Sequence, residues 1–207
     1  MFSAIEFLFD TQTLIQAVGL IGITLIIFAE SGLFFGFFFP GDSLLFTAGV
    51  LASQGFINIW LLVFLTTIAA IAGDSVGYWF GKKVGPILFV RPDSFLFSHQ
   101  RVVDAKRFFE KHGAKSLILA RFVPGVRTFT PIIAGVGGMP YKTFLTYNVI
   151  GAILWAFCIP LLGYFLGSTI PGIDKYIVPI VLLIIAVSFI PLIREVIRSY
   201  IAKHPRS

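Results

Sequence analysis

Charge is scarce in this chain. Only 13% of its 207 residues are Asp, Glu, Lys or Arg, against about 25% in an average soluble domain. With 57% of the residues hydrophobic, that deficit excludes an ordinary soluble globule, and it excludes a disordered chain. Lys and Arg are missing altogether before Lys82, and from Thr11 to Gly81 the only charges are Glu30, Asp42 and Asp74. Cysteine occurs once, as Cys158, which excludes an internal disulfide and a multi-cysteine metal site. Three histidines, His99, His112 and His204, leave little for a metal centre, so neither a metal nor a cofactor is expected. The N-terminus lacks a basic n-region and a small-residue cleavage site, so no cleavable signal peptide is expected. The length suits one polytopic membrane domain over 1–207.

What charge there is lies in two polar segments. Lys82 to Lys115 holds eight basic and three acidic residues, and Arg194 to Arg206 holds four and one. Basic segments flanking apolar spans mark the cytoplasmic side. They carry no nucleic-acid recognition motif, so membrane orientation is the better reading. Within the first segment, Val102 to His112 reads as an amphipathic helix on an anionic leaflet. His99 and His112 read as surface residues, and Lys142 as an interfacial side chain that snorkels to water.

A bilayer core needs about 20 apolar helical residues. Thr13–Ala29, Phe56–Gly73, Thr143–Leu166 and Tyr176–Ile193 fit, with Pro160, Pro179 and Pro191 placed to kink or end the last two. Two further apolar pieces are interrupted. Ser31 to Ala52 carries Pro40-Gly41-Asp42 at its middle, and Arg121 to Met139 carries Pro124-Gly125 and then Pro131. Each half is about ten residues, or about 15 Å at 1.5 Å per residue. That is half a bilayer, and it predicts two re-entrant hairpins; the alternative is one kinked span each. Non-helical backbone at membrane depth must be buried in protein or line a wet cavity.

The two halves resemble each other. Pro40-Gly41 aligns with Pro124-Gly125, Ala48-Gly49-Val50 with Ala134-Gly135-Val136, and Gly77-Tyr78 through Gly81 with Gly163-Tyr164 through Gly167. Repeat one covers about 13–81 and repeat two about 116–167, separated by the basic segment 82–115 and followed by a span over 176–193 and a tail over 194–207. If both basic segments face the cytoplasm, hairpin one opens outward and hairpin two inward, so the repeats are inverted. The expected fold is an all-α membrane protein of about four full spans plus two re-entrant hairpins, with both termini cytoplasmic. Broken helices in inverted repeats meeting near the midplane are the architecture of secondary transporters. Gly73, Gly77, Gly81 and Gly85 form a small-residue stripe suited to close helix packing.

Glu30, Asp42, Arg121 and Arg127 are the informative side chains. A charge at the bilayer centre costs at least about 2.5–3.5 kcal/mol, so these four must pair, face water, or both. The acids come from repeat one and the arginines from repeat two. Arginine stays protonated and can hold a phosphate through two parallel hydrogen bonds. An anion arriving there would compete with the acids for their cationic partner and free them to take up protons. Arg121 and Arg127 are therefore candidate substrate-binding residues, and Glu30 and Asp42 candidate proton-coupling residues. Pro40, Gly41, Pro124 and Gly125 support them by breaking the helices. Asp74, beside the glycine stripe, is either a structural partner or a functional carboxylate. The bland alternative is a buried structural salt-bridge cluster.

These residues carry a resemblance. Glu30 with Phe39-Pro40-Gly41-Asp42, Gly73-Asp74 with Gly77-Tyr78, Arg121-Phe122-Val123-Pro124-Gly125-Val126-Arg127-Thr128 and Ala134 to Met139 are similar to the DedA family of bacterial membrane proteins, the SNARE-associated or VTT-domain superfamily. The resemblance implies opposed re-entrant hairpins and lipid transport. Bacterial members are linked to returning undecaprenyl phosphate across the cytoplasmic membrane, and eukaryotic relatives to scrambling phospholipids. It also implies that Glu30, Asp42, Arg121 and Arg127 are functional and that proton-motive force drives the process.

The leading expectation is a flippase, not an enzyme, of the bacterial inner membrane. It would move an anionic lipid headgroup, undecaprenyl phosphate first and a phospholipid such as phosphatidylethanolamine second, in support of cell-envelope synthesis. Its partners would be lipid, protons and membrane, with no nucleic acid. A lipid phosphatase would want a His or Cys nucleophile or metal ligands, and no histidine lies among the buried charges. A non-transporting scaffold is the third reading. The orientation is testable: cysteines placed at Ser98 and Ser207 should resist an impermeant label added from the periplasmic side, and labelling of either would overturn the inverted trace.

Overall fold

The computed structural model describes residues 11–32, 41–88, 109, 111–123 and 126–170. It is helical, with no strand among the described residues. The elements are α1 (Thr11–Gly32), α2 (Gly41–Ser53), α3 (Ile59–Leu88), α4 (Ser116–Ala120), α5 (Val126–Val136) and α6 (Tyr141–Thr169). The sequence ends them in recognisable ways. Gly55, at φ +84°, turns the chain between α2 and α3, a backbone state that suits only glycine without cost. The Asn58 carboxamide oxygen then accepts the backbone N–H groups of Trp60 and Leu61, each at 3.0 Å, and caps α3. Gly138, at φ +72°, closes the turn after α5.

Large apolar side chains lie on the outside of the bundle, and polar ones are buried among its apolar core. Trp60 is 63% exposed, Phe64 60% and Phe165 65%, and Ile153 and Phe157 also face outward, while Thr66, Thr128, Thr130 and Asn148 are buried. Large apolar side chains on the outside are stable when the surroundings are hydrocarbon. Residues Ile59–Val84 and Tyr141–Thr169 form helices long and apolar enough to cross a bilayer. The molecule is therefore consistent with an all-α membrane protein.

The two half-length helices pack across the molecule. α2 lies most extensively on α6, and α5 on α3, while α1 lies on α3. Each crossing is made possible by absent side chains. A Cβ on Gly49 would strike the Pro160 carbonyl and one on Gly163 the Phe46 carbonyl; one on Gly135 would strike the Tyr78 carbonyl and one on Gly81 the Ile132 carbonyl. Some contacts correspond at a fixed offset of 86 residues. Phe46 meets Gly163, and their counterparts Ile132 and Gly77 meet as well, with a Gly77 Cβ 3.6 Å from Ile132.

Several boundaries differ from the sequence expectation. The span expected over Phe56–Gly73 is the much longer α3, which continues past Lys82 and Lys83. Both lysines are exposed, so their charges reach water without interrupting the backbone hydrogen bonds. α1 includes Ser31 and Gly32, which were expected to open hairpin one. Gly32 instead belongs to the α1–α3 contact, where its Cβ would lie 3.0 Å from Gly73. Pro131 does not break α5 and Pro160 does not end α6. Both prolines are buried against neighbouring helices, and packing outweighs the loss of one hydrogen bond each. The expected helix Val102–His112, apart from its last residues, and the expected span Tyr176–Ile193 lie outside the described residues.

The glycine crossings generate a stability prediction. Gly49→Leu and Gly135→Leu should each lower stability by at least about 1–3 kcal/mol, because backbone rather than a yielding side chain stands in the way. Gly22→Leu, where a Cβ meets nothing within 4 Å, should be close to neutral. Thermal unfolding of the three variants in detergent checks this. Equal losses at all three positions would refute the close-approach account.

Candidate functional site

Five charged side chains meet inside this bundle. Glu30 sits near the end of α1, Asp42 in the first turn of α2, Asp74 within α3, Arg121 just after α4, and Arg127 at the second residue of α5. Glu30 is 3% exposed, Asp74 5% and Arg121 7%. The half-length helices explain the arrangement. α2 begins at Gly41 and α5 at Val126, so their N-terminal turns face each other through the side chains of Asp42 and Arg127, while the first α5 amides, those of Val126 and Arg127, donate to the Val123 carbonyl at 3.2 Å.

The charges divide into two groups. Arg127 uses its two terminal nitrogens for two acids: Nη1 donates to Asp42 Oδ1 and Nη2 to Glu30 Oε1. Arg121 belongs to a second group, where Nη1 donates to Asp74 Oδ2 and to Asn148 Oδ1, the latter at 2.7 Å. The Asn148 amide is held in turn by donating to the Ile71 carbonyl at 3.3 Å. The sequence expectation set both arginines against Glu30 and Asp42. The structure gives both acids to Arg127 and gives Asp74 to Arg121 as its ion-pair partner.

Gly41 has a direct role. The Glu30 Oε2 atom occupies the place where a Gly41 Cβ would stand, so only glycine lets this carboxylate reach the first turn of α2. Pro40, Pro124 and Gly125 lie outside the described residues. Two partners escaped sequence reasoning. Asn148 and Trp155 lie seven residues apart, on one buried face of α6. Asn148 had a usable signal, as the one carboxamide in an apolar helix. Trp155 had none, since an indole in an apolar run reads as core.

Electrostatically the centre holds three carboxylates and two guanidiniums, a formal excess of one negative charge. Saturation is incomplete: Glu30 Oε2, Ser43 Oγ and Arg121 Nε are buried without a hydrogen-bond partner. A cavity of about 20 Å³ lies among Ser31, Asp74, Arg121, Arg127, Asn148 and Trp155. That is room for about one water. Among the described residues no group of three His, Cys, Asp or Glu side chains is placed to hold a metal. Cys158 faces outward on α6. A separate apolar groove of about 520 Å³ runs between α1 and α2, lined by Gly19, Gly22, Ile26, Leu44 and Leu51 among others. Gly22, Ile26 and Glu30 follow one another at i, i+4, i+8, so the groove's α1 face leads to the carboxylate.

Comparison with known proteins adds the following. Residues 39–165 match the VTT domain. The chain is 48% identical over 176 residues to Protein DedA of Escherichia coli strain K12, covering 84% of this chain and 80% of that protein. It is 45% identical over 166 residues to an uncharacterized membrane protein of Mycobacterium leprae, covering 80% and 74%. It is 35% identical over 193 residues to the inner membrane protein YqjA of Escherichia coli strain K12, covering 85% and 84%. No solved structure matches.

The division into two groups can be checked by paired substitution. Arg121→Leu or Asp74→Leu alone strands a buried charge and should cost about 3–5 kcal/mol, while the double variant should lose much less than the sum. Arg121→Leu with Glu30→Leu shares no hydrogen bond and should lack that compensation. Thermal unfolding of the five variants in detergent is the measurement. Compensation in the second pair and not the first would reverse the assignment.

Proposed function

The chain belongs to the VTT-domain family, and from that premise we propose that it is a membrane lipid transporter that moves an anionic headgroup, with undecaprenyl phosphate as the first candidate substrate. The observation that carries the reading is the double use of Arg127. One guanidinium, shielded from water, is shared between Glu30 and Asp42. A phosphate that takes the same fork of donors must displace two carboxylates at once. Carboxylates stripped of their cation in a poorly solvated place are driven to protonate. Headgroup entry and proton uptake are then one exchange.

The other parts fit this exchange. Arg121 stands across the small cavity as a second cation, and its unpartnered Nε–H is available for an anion oxygen. The cavity is far too small for a headgroup, so the helices around it must separate for the lipid to enter, as alternating access requires. The groove between α1 and α2 offers an apolar slot for a hydrocarbon chain. The crossed packing of α2 on α6 and α5 on α3, with its 86-residue correspondence, supports inverted repeats built on two re-entrant hairpins. Cytoplasmic termini follow from the basic segments, and a bacterial inner membrane from the description of YqjA as an inner membrane protein. A lipid phosphatase is the weaker reading, because Cys158 lies on the outer face of α6, away from the charges.

The experiment is reconstitution in liposomes with labelled undecaprenyl phosphate and labelled phosphatidylethanolamine side by side, with and without a pH gradient. Undecaprenyl phosphate should cross faster than in empty liposomes, and the gradient should change its rate. Faster crossing of phosphatidylethanolamine alone would move the substrate to phospholipids. Crossing of neither would remove the transporter reading. Arg127→Lys should abolish transport, since a point charge cannot replace the fork. Glu30→Gln and Asp42→Asn should keep folded protein and lose the response to the gradient; a wild-type response in both would reject proton coupling.

A further inference from the structure

Trp155 is the side chain that touches both ion-pair groups. It is 3% exposed. Its indole N–H donates to Asp42 Oδ1 at 2.9 Å, the same oxygen that accepts from Arg127. Its ring centroid lies 4.8 Å from Arg127 Cζ and 5.7 Å from Arg121 Cζ, both within cation–π range. Core packing alone would need none of this, because Phe or Leu fills apolar space without an N–H to satisfy. An indole is a donor only. It can therefore hold the carboxylate in place but cannot neutralise it by giving up or taking a proton.

We propose that Trp155 is a positioning residue that couples the two groups. It keeps Asp42 fixed when Arg127 is drawn away, and its ring is the shared seat of both guanidiniums. An anion that pulls Arg127 off the ring changes the surroundings of Arg121, although the two arginines donate to different acids. The groups facing Asp42 are Glu30 from α1, Arg127 from α5 and Trp155 from α6, with Arg121 and Asp74 behind the ring. The part concerning an anion rests on the transport reading above; the coupling between the groups does not.

The test uses full-length protein in nanodiscs and has two arms. The first measures thermal midpoints of Asp42→Asn, Asp74→Asn and the double variant, each with Trp155, with Trp155→Phe and with Trp155→Leu. These two acids share no hydrogen bond, yet with Trp155 present their effects should not add. With Trp155→Leu they should add, and Trp155→Phe, which keeps a ring, should retain part of the coupling. Additive effects with Trp155 present would overturn the linkage, and so would unchanged coupling in Trp155→Leu. The milder Trp155→Phe decides if Trp155→Leu fails to fold.

The second arm makes Trp155 the single indole through Trp60→Phe and Trp79→Phe, and titrates decyl phosphate. Trp155 emission should change saturably, with a midpoint raised about tenfold in both Arg121→Lys and Arg127→Lys. Retained binding of radiolabelled decyl phosphate without an emission change would overturn the linkage alone. Loss of binding itself would overturn the anion reading, and the first arm then decides the linkage by itself.

Discussion

A charge inside an apolar medium has to be balanced within a few ångströms, and the architecture here follows from that requirement. Taking a carboxylate or guanidinium out of water costs several kcal/mol even after relaxation. Five such groups converge, with one carboxylate in excess of the arginines. α2 and α5 are short, and their first turns bring Asp42 and Arg127 together, where Arg127 donates to both Asp42 and Glu30.

That need dictates how the helices pack. Two short helices can meet through their first turns only if both are held by longer neighbours. α6 holds α2 and α3 holds α5, each through glycines that bring backbone against backbone. The same approach positions Asp42 and Arg127 and leaves beside Arg127 a cavity of only about 20 Å³. Outside, α3 and α6 present Trp60, Phe64, Phe157 and Phe165, so hydrocarbon rather than water is the compatible surrounding. Site, packing and surface answer one constraint.

Much of this was legible in the sequence, and the legible part is the expensive part. Glu30, Asp42, Asp74, Arg121 and Arg127 stand out because ionisable residues in apolar runs demand an explanation, and the Pro-Gly pairs marked where helices begin. The pairing was not legible. Nothing in a linear spacing tells whether Arg121 meets Asp42 or Asp74; that depends on α4 ending beside Asn148 on α6. Helix continuity through Pro131 and Pro160 was also hidden, because burial against a neighbour decides whether one lost hydrogen bond ends a helix. Trp155 was invisible for a different reason. Its indole looks like any apolar side chain until its N–H is seen on a carboxylate.

The remaining question is whether the cluster exists to hold the fold. An apolar replacement of a buried ion pair is often neutral or stabilising, so stability alone does not require five charges. One arginine is divided between two acids, and Asp42 Oδ1 accepts from both Arg127 and Trp155. A cation shared between two acids, with a second donor on one of them, is what the proposed exchange of Arg127 between internal carboxylates and an incoming anion requires.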